Sequence, residues 1–228
     1  VSEAVHVRVH VGARRDRWWA ATSRLDVRGG DPGTNNFASE AVMTIATLDD
    51  LKNALPDWAR DAKLNLGIID SAASMGPTVA WGTALAAAAA TKDPTLIRVI
   101  QASAAAHLDD AHQRAALAAA SLMAMNNVFY RFRHFMGEAS GYPALPARLR
   151  MQGLANHGIE HRDFELWCLA VSAIGGCEAC VVSHEQVVIA KGGTKEMVND
   201  AVRIASVMNA VAASLQIAAA LPAPAPAA

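Results

Sequence analysis

The residues of this chain best suited to chemistry lie in GGCEACVVSHE, Gly175 to Glu185, where Cys177 and Cys180 stand three apart and His184 follows the second by four. Two thiols at this spacing suit a metal clip, a structural disulfide or a redox couple. If the Gly175-Gly176 pair opens a helix with Cys177 in its first turn, Cys180 and His184 fall at about −60° and −20° from Cys177, in one narrow wedge. The free N–H groups and partial positive charge at a helix start favour a thiolate. Neighbours three apart in a helix have Cα atoms within the roughly 4.4–6.8 Å a disulfide needs. Glu165 lies twelve residues before Cys177 in the apolar run FELWCLAV. A helical hairpin turning at the glycines brings its carboxylate toward the sulfurs. A carboxylate in such a run is costly without a partner, and an imidazole is the obvious one.

C-x-x-C alone does not choose among these uses. A structural zinc site needs a fourth ligand; Cys168 and Glu165 are available, but the chain has only three cysteines and no second C-x-x-C. A thioredoxin-like site belongs in a β-α-β setting, which this chain does not offer.

The elements that must position these residues are helical. Of 228 residues, 53 % are apolar and only 5 % aromatic, with alanine in runs such as Thr83 to Thr91. Alanine favours helices and disfavours strands, and no segment shows sustained strand alternation. Thr47 is expected to cap TLDDLKNAL. Pro56 is expected to start a helix through PDWARDAKLNLGIID. Pro77 and Asp93-Pro94 open the next two, with Trp81 and Leu85 on one face. The long stretch from Leu108 to Gly137 is expected to break near Asn126-Asn127. LPARLRMQGLAN reads as a short helix. Two helices ending at glycine pairs carry Glu165 and the cysteines, and Thr194 caps the last. The fold class is therefore an all-α helical bundle.

The formal net charge is −1, with no clustered basic face for nucleic acid. The apolar stretches read as too short or too interrupted to cross a membrane. A C-x-x-C without a secretory leader points to the cytoplasm. Residues 1–42 carry six arginines against five acids without periodicity. They are expected to be a disordered extension or upstream sequence ahead of Met43. The helical domain is placed at 43–221 and a Pro/Ala tail at 222–228.

The pattern Glu165-x11-Cys177-x-x-Cys180-x-x-x-His184 resembles the alkyl hydroperoxidase D family, in the superfamily named after carboxymuconolactone decarboxylase. LKNALPDWARDAKLNL, WGTALAAAAAT, MNNVFYR and FELWCLAVSAIGGCEACVVSHE also resemble that family, and the similarity runs from Met43 to about Leu221. It implies a homotrimer that reduces peroxides with its cysteine pair. Cys180 would be the peroxidatic thiol and Cys177 the resolving one. His184 would relay a proton toward Glu165 as base. No bound cofactor or metal is implied. Electrons would come from dihydrolipoamide on a lipoylated dihydrolipoamide acyltransferase. The partner to be reduced would be a peroxiredoxin, the C component of alkyl hydroperoxide reductase. Some members carry a second histidine between the cysteines, where this chain has Glu178 and Ala179.

Two other uses of the fold are weighed: a non-catalytic redox-sensing or partner-binding module, and a decarboxylase or dehydratase, which would not call for C-x-x-C. Cys168 reads as a core residue, and Trp81 and Trp167 as packing. His107, His112, His157 and His161 show no partner pattern. His134, with Tyr130, Arg131 and Phe135, is the best outside candidate for lining an entrance, but packing or a subunit contact suits it better. MNNVFYR is polar enough inside an apolar helix to demand hydrogen-bond partners.

Overall fold

The computed structural model describes residues 45–221; the expected extension over 1–42 and the tail over 222–228 lie outside them. The described residues form α-helices and short 3-10 turns, with no strand among them. The helices are α1 (Leu48–Ala54), α2 (Arg60–Asn65), α3 (Ile68–Ser71), α4 (Pro77–Thr91), α5 (Pro94–Ala104), α6 (Asp110–Met136), α7 (His161–Ile174), α8 (Glu178–Ala190) and α9 (Lys195–Ala220).

Capping explains most of the starts. Thr47 and Asp50 form a reciprocal capping box on α1. Asp93, Asp109 and Thr194 each accept a backbone N–H at the start of α5, α6 and α9. Pro77 and Pro94 occupy first-turn positions, where the missing N–H costs nothing.

α4 and α7 are the central pair. Every residue of α4 from Val79 to Ala88 is buried, so its apolar residues run right round the helix, as a helix enclosed on all sides requires. It packs against α5, α6, α7 and α9, while α7 packs against α4, α6, α8 and α9. Trp167 joins the two. Its indole lies over Gly82, and its Nε1–H donates to the Val79 carbonyl at 3.2 Å. Trp81 is buried against the bundle and stacks on His107 with centroids 5.1 Å apart.

Three expectations need correction. First, α6 does not break at Asn126-Asn127; it is one helix of 27 residues, ending at Gly137 with φ +72°. Asparagine breaks helices by turning its side chain back on its own backbone. Here Asn127 Oδ1 instead accepts from Ser172 Oγ on α7 at 3.0 Å, so the backbone ladder is left alone. Second, LPARLRMQGLAN is not an α-helix and contains only a 3-10 turn at Gln152–Leu154. Leu145, held extended before Pro146, and Arg148 at φ +49° both lie outside helical space. Third, the segment after Pro56 divides into a 3-10 turn, α2 and α3, with the interruption at Leu66-Gly67.

α9 also departs from the reading of short apolar stretches, because by length and hydropathy it is sufficient to cross a membrane. In this bundle it is a core helix packed on α4 and α7, with Ile204, Met208 and Val211 fully buried. Asp200 on it accepts from Ser74 Oγ at 2.6 Å, a bond that holds its carboxyl below the usual range.

The α4–α7 contact yields a stability prediction. Alanine at position 82 would gain about 1 kcal/mol in helix propensity. Its Cβ would, however, overlap the Trp167 ring, and overpacking a tight core costs about 1–3 kcal/mol. Overlap should win, and Gly82→Ala should melt below the wild type in thermal unfolding by circular dichroism.

Candidate active site

The site is built on the α7–α8 hairpin. α7 runs into Gly175 and then Gly176, whose φ of +63° suits glycine and makes the reversal. Cys177 follows as the N-cap of α8 at φ −99°, ψ 92°, one position ahead of the expected first turn, and Cys180 lies inside the helix. The two are joined as a disulfide with Cα atoms 5.3 Å apart. The extended conformation at Cys177 turns its side chain toward the first helical turn, where Cys180 stands.

The sulfurs differ in access. Cys177 is fully buried, whereas Cys180 retains 6 % exposure. Cys180 lines a cavity of about 370 Å³ with Met123, Asn126, Tyr130, Ala179 and His184. Ala179 thus occupies the cavity wall beside Cys180.

One turn beyond Cys180, His184 Nδ1 lies 2.6 Å from Glu165 Oε2 on α7. A carboxylate accepts, so Nδ1–H donates to it and Nε2 is the ring nitrogen turned toward the cavity wall. Nε2 lies 3.2 Å from Met123 Sδ at the cavity wall. Glu165 is 7 % exposed and His184 nearly as enclosed, so each supplies the partner the other's burial requires.

A second histidine reaches the same carboxylate, which sequence reasoning missed. His161 Nε2 stands 3.7 Å from Glu165 Oε1, and His161 Nδ1 is 3.2 Å from His157 Nε2. The signal was present: His161 and Glu165 are four apart, neighbours on a helix face. His157 precedes the helix, and its contact depends on the loop, which no spacing rule gives. Its ring stacks on Phe164 at 4.2 Å.

The other candidates separate. Cys168 is fully buried, and burial, then the charge of Glu165, pushes its thiol well above the ordinary range. The group proposed around His134 is divided by the turn of α6. Tyr130 lines the cysteine cavity. Arg131, about 100° further round the helix, donates Nη1–H to the Gly175 carbonyl and borders a second cavity of about 430 Å³. His134 Nε2 pairs with Glu178 Oε2 at 3.4 Å, and Phe135 is exposed. Among the described residues, no three His, Cys, Asp or Glu side chains converge as a metal site.

Fold and site together define an all-α protein in which a cysteine pair at a helix start faces a cavity beside a buried imidazole–carboxylate pair. Residues 141–223 match the carboxymuconolactone decarboxylase family. The chain is 51 % identical over 174 residues to a protein of Anaeromyxobacter sp. (strain K) named alkyl hydroperoxide reductase AhpD, covering 76 % of this chain and 93 % of that one. A protein of the same name from Rhodospirillum centenum is 48 % identical over 175 residues, 77 % and 94 % of the two chains. One from Streptomyces griseus is 47 % identical over 168, 74 % and 94 %. The chain belongs to the alkyl hydroperoxidase D family.

His157 yields a pH prediction. Burial, then the charge of His161, lowers its pKa from 6.5, against weaker opposition from Glu165 and Glu160. Its folded form therefore binds protons less readily than the unfolded chain. The associated stability is complete above about pH 6.5 and is lost as pH falls through the lower folded value. His157→Gln should flatten the fall in melting temperature between about pH 7 and 5, whatever its effect on the absolute value.

Proposed function

We propose that this protein is a thiol peroxidase that reduces alkyl hydroperoxides and hydrogen peroxide through a Cys177/Cys180 dithiol–disulfide cycle. The observation that carries the reading is the unequal access of the two sulfurs: Cys180 borders the cavity beside His184, while Cys177 sits behind it within bonding reach. The name alkyl hydroperoxide reductase carried by relatives about half identical to this chain supports it.

In the reduced protein, His184 Nε2 takes the Cys180 proton, and Glu165 stabilises the imidazolium through Nδ1–H. The thiolate, favoured by the N-terminal end of α8, attacks the terminal peroxide oxygen. The O–O bond breaks, Cys180 becomes a sulfenic acid, and the leaving alkoxide takes a proton to depart as the alcohol. Cys177 condenses with the sulfenic acid, giving the disulfide and water. A dihydrolipoyl group then reopens the bond through a mixed disulfide and leaves as the cyclic disulfide. A lipoylated dihydrolipoamide acyltransferase fits as the donor's carrier, and a peroxiredoxin of alkyl hydroperoxide reductase as a partner whose disulfide the reduced pair opens. Both belong to a cytoplasmic setting.

The homotrimer is proposed on similar terms. Val128, Phe132 and Phe135 form an exposed apolar stripe on α6, 62 %, 45 % and 75 % exposed, of the kind that subunit contacts cover.

One equivalent of tert-butyl hydroperoxide should remove two titratable thiols per reduced chain without cross-linking chains; no loss defeats the peroxidase reading. Steady turnover of peroxide with dihydrolipoamide separates an enzyme from a redox-sensing module of the same fold. Cys180→Ser should reduce that turnover by at least about a hundredfold, the scale of losing a covalent nucleophile. Activity near wild type in that variant would reassign the attacking thiol.

A further inference from the structure

The two neighbouring asparagines of α6 have opposite fates. Asn127 is satisfied by Ser172. Asn126 is 4 % exposed, and its Oδ1 finds no hydrogen-bond partner within the protein, alone in this among the buried side-chain nitrogens and oxygens of the described residues. Asn126 lines the same cavity as Cys180 and His184. Leaving a buried acceptor unpaired costs at least as much as an ordinary hydrogen bond contributes, and an apolar side chain of similar size would avoid that cost. An acceptor kept at this place and unused by the fold is suited to a donor arriving in the cavity.

We propose that Asn126 is a substrate-binding residue whose Oδ1 accepts the O–H of an alkyl hydroperoxide, with the alkyl group lying against Met123, Met151 and Leu154. This rests on the peroxidase reading and deepens it. A hydroperoxide carries one O–H donor, on the oxygen the thiolate attacks. A bond from that O–H to Oδ1 fixes the electrophilic oxygen near Cys180 and leaves the O–O bond free to open toward the alkyl side. Met123, Met151, Leu154 and Ala179 make up the apolar part of the lining and suit a hydrocarbon substituent, while Tyr130 and Ser183 add two hydroxyls. Asn126 takes no part in the proton transfers. The thiol proton still passes to His184 and the alkoxide still takes one to become alcohol. The disulfide-reducing half of the cycle has no O–H to bind and should not depend on Asn126.

The two half-reactions can be measured apart on the full chain. The reduced protein is mixed with tert-butyl hydroperoxide in a stopped-flow single turnover, and the oxidised protein is separately mixed with dihydrolipoamide. Asn126→Leu should slow the first roughly tenfold, the worth of one hydrogen bond in a water-poor site. It should leave the second within about twofold, a difference too small to represent a lost hydrogen bond. Its melting temperature should equal or exceed the wild type, because an unpaired acceptor is gone, whereas a merely structural asparagine would be missed. Asn126→Ser, which keeps a smaller acceptor, should fall between the two in peroxide rate, and it decides the matter if the leucine variant does not fold. An unchanged peroxide rate, or equal slowing of both half-reactions with a lower melting temperature, overturns the assignment. A wild-type protein that fails to consume the peroxide instead defeats the peroxidase reading itself.

Discussion

A carboxylate that is nine-tenths enclosed cannot be left alone, and Glu165 sets the terms for much of this structure. Its position on α7 is fixed by the core around it: Phe164, Leu166 and Trp167 are fully buried, and Trp167 is tied to α4 through Gly82 and the Val79 carbonyl. Glu165 therefore has no easy escape to water. Its partner must come to it, and the α7–α8 reversal delivers His184 to 2.6 Å. The same reversal places Cys177 at the helix start and Cys180 within it. Core packing, the glycine turn and the orientation of the imidazole are thus one constraint seen at three levels.

The cavity beside Cys180 has walls of mixed character. Thioether and hydrocarbon from Met123, Met151 and Leu154 line it together with Cys180, His184, the hydroxyls of Tyr130 and Ser183, and an amide oxygen that the fold does not use. On the adjacent face of α6, Arg131 binds the Gly175 carbonyl and Asn127 binds Ser172. Those contacts brace the end of α7, and with it the turn that carries the cysteines. One helix thereby lines the cavity with one face and steadies the hairpin with the next.

Much of this was legible beforehand. Alanine runs, caps and glycine stops identified an all-helical chain and the two helices of the hairpin, because these signals are local. The spacing of Glu165, Cys177, Cys180 and His184 singled out the residues the hairpin assembles, since one tight turn leaves few ways to fold. The unbroken α6 was not legible. Whether Asn127 disrupts or continues a helix depends on Ser172, 45 positions away, and no window of sequence contains that partner. The loop after α6 was misread for the opposite reason: its composition suits a helix, but Pro146 and the left-handed Arg148 override it. His157 and His161 were passed over as isolated histidines. Their relation to Glu165 needs the fold of the segment entering α7.

The third cysteine has a practical meaning. Cys168 is sealed in the core one turn from Glu165, with its thiol held in the protonated form. It stays outside the traffic of electrons through the hairpin and invisible to alkylating reagents while the bundle is closed. Each chain thus carries its own reporter of opening: a sulfhydryl that becomes reactive only when α7 is exposed, and so separates damage to the fold from wear on the neighbouring pair.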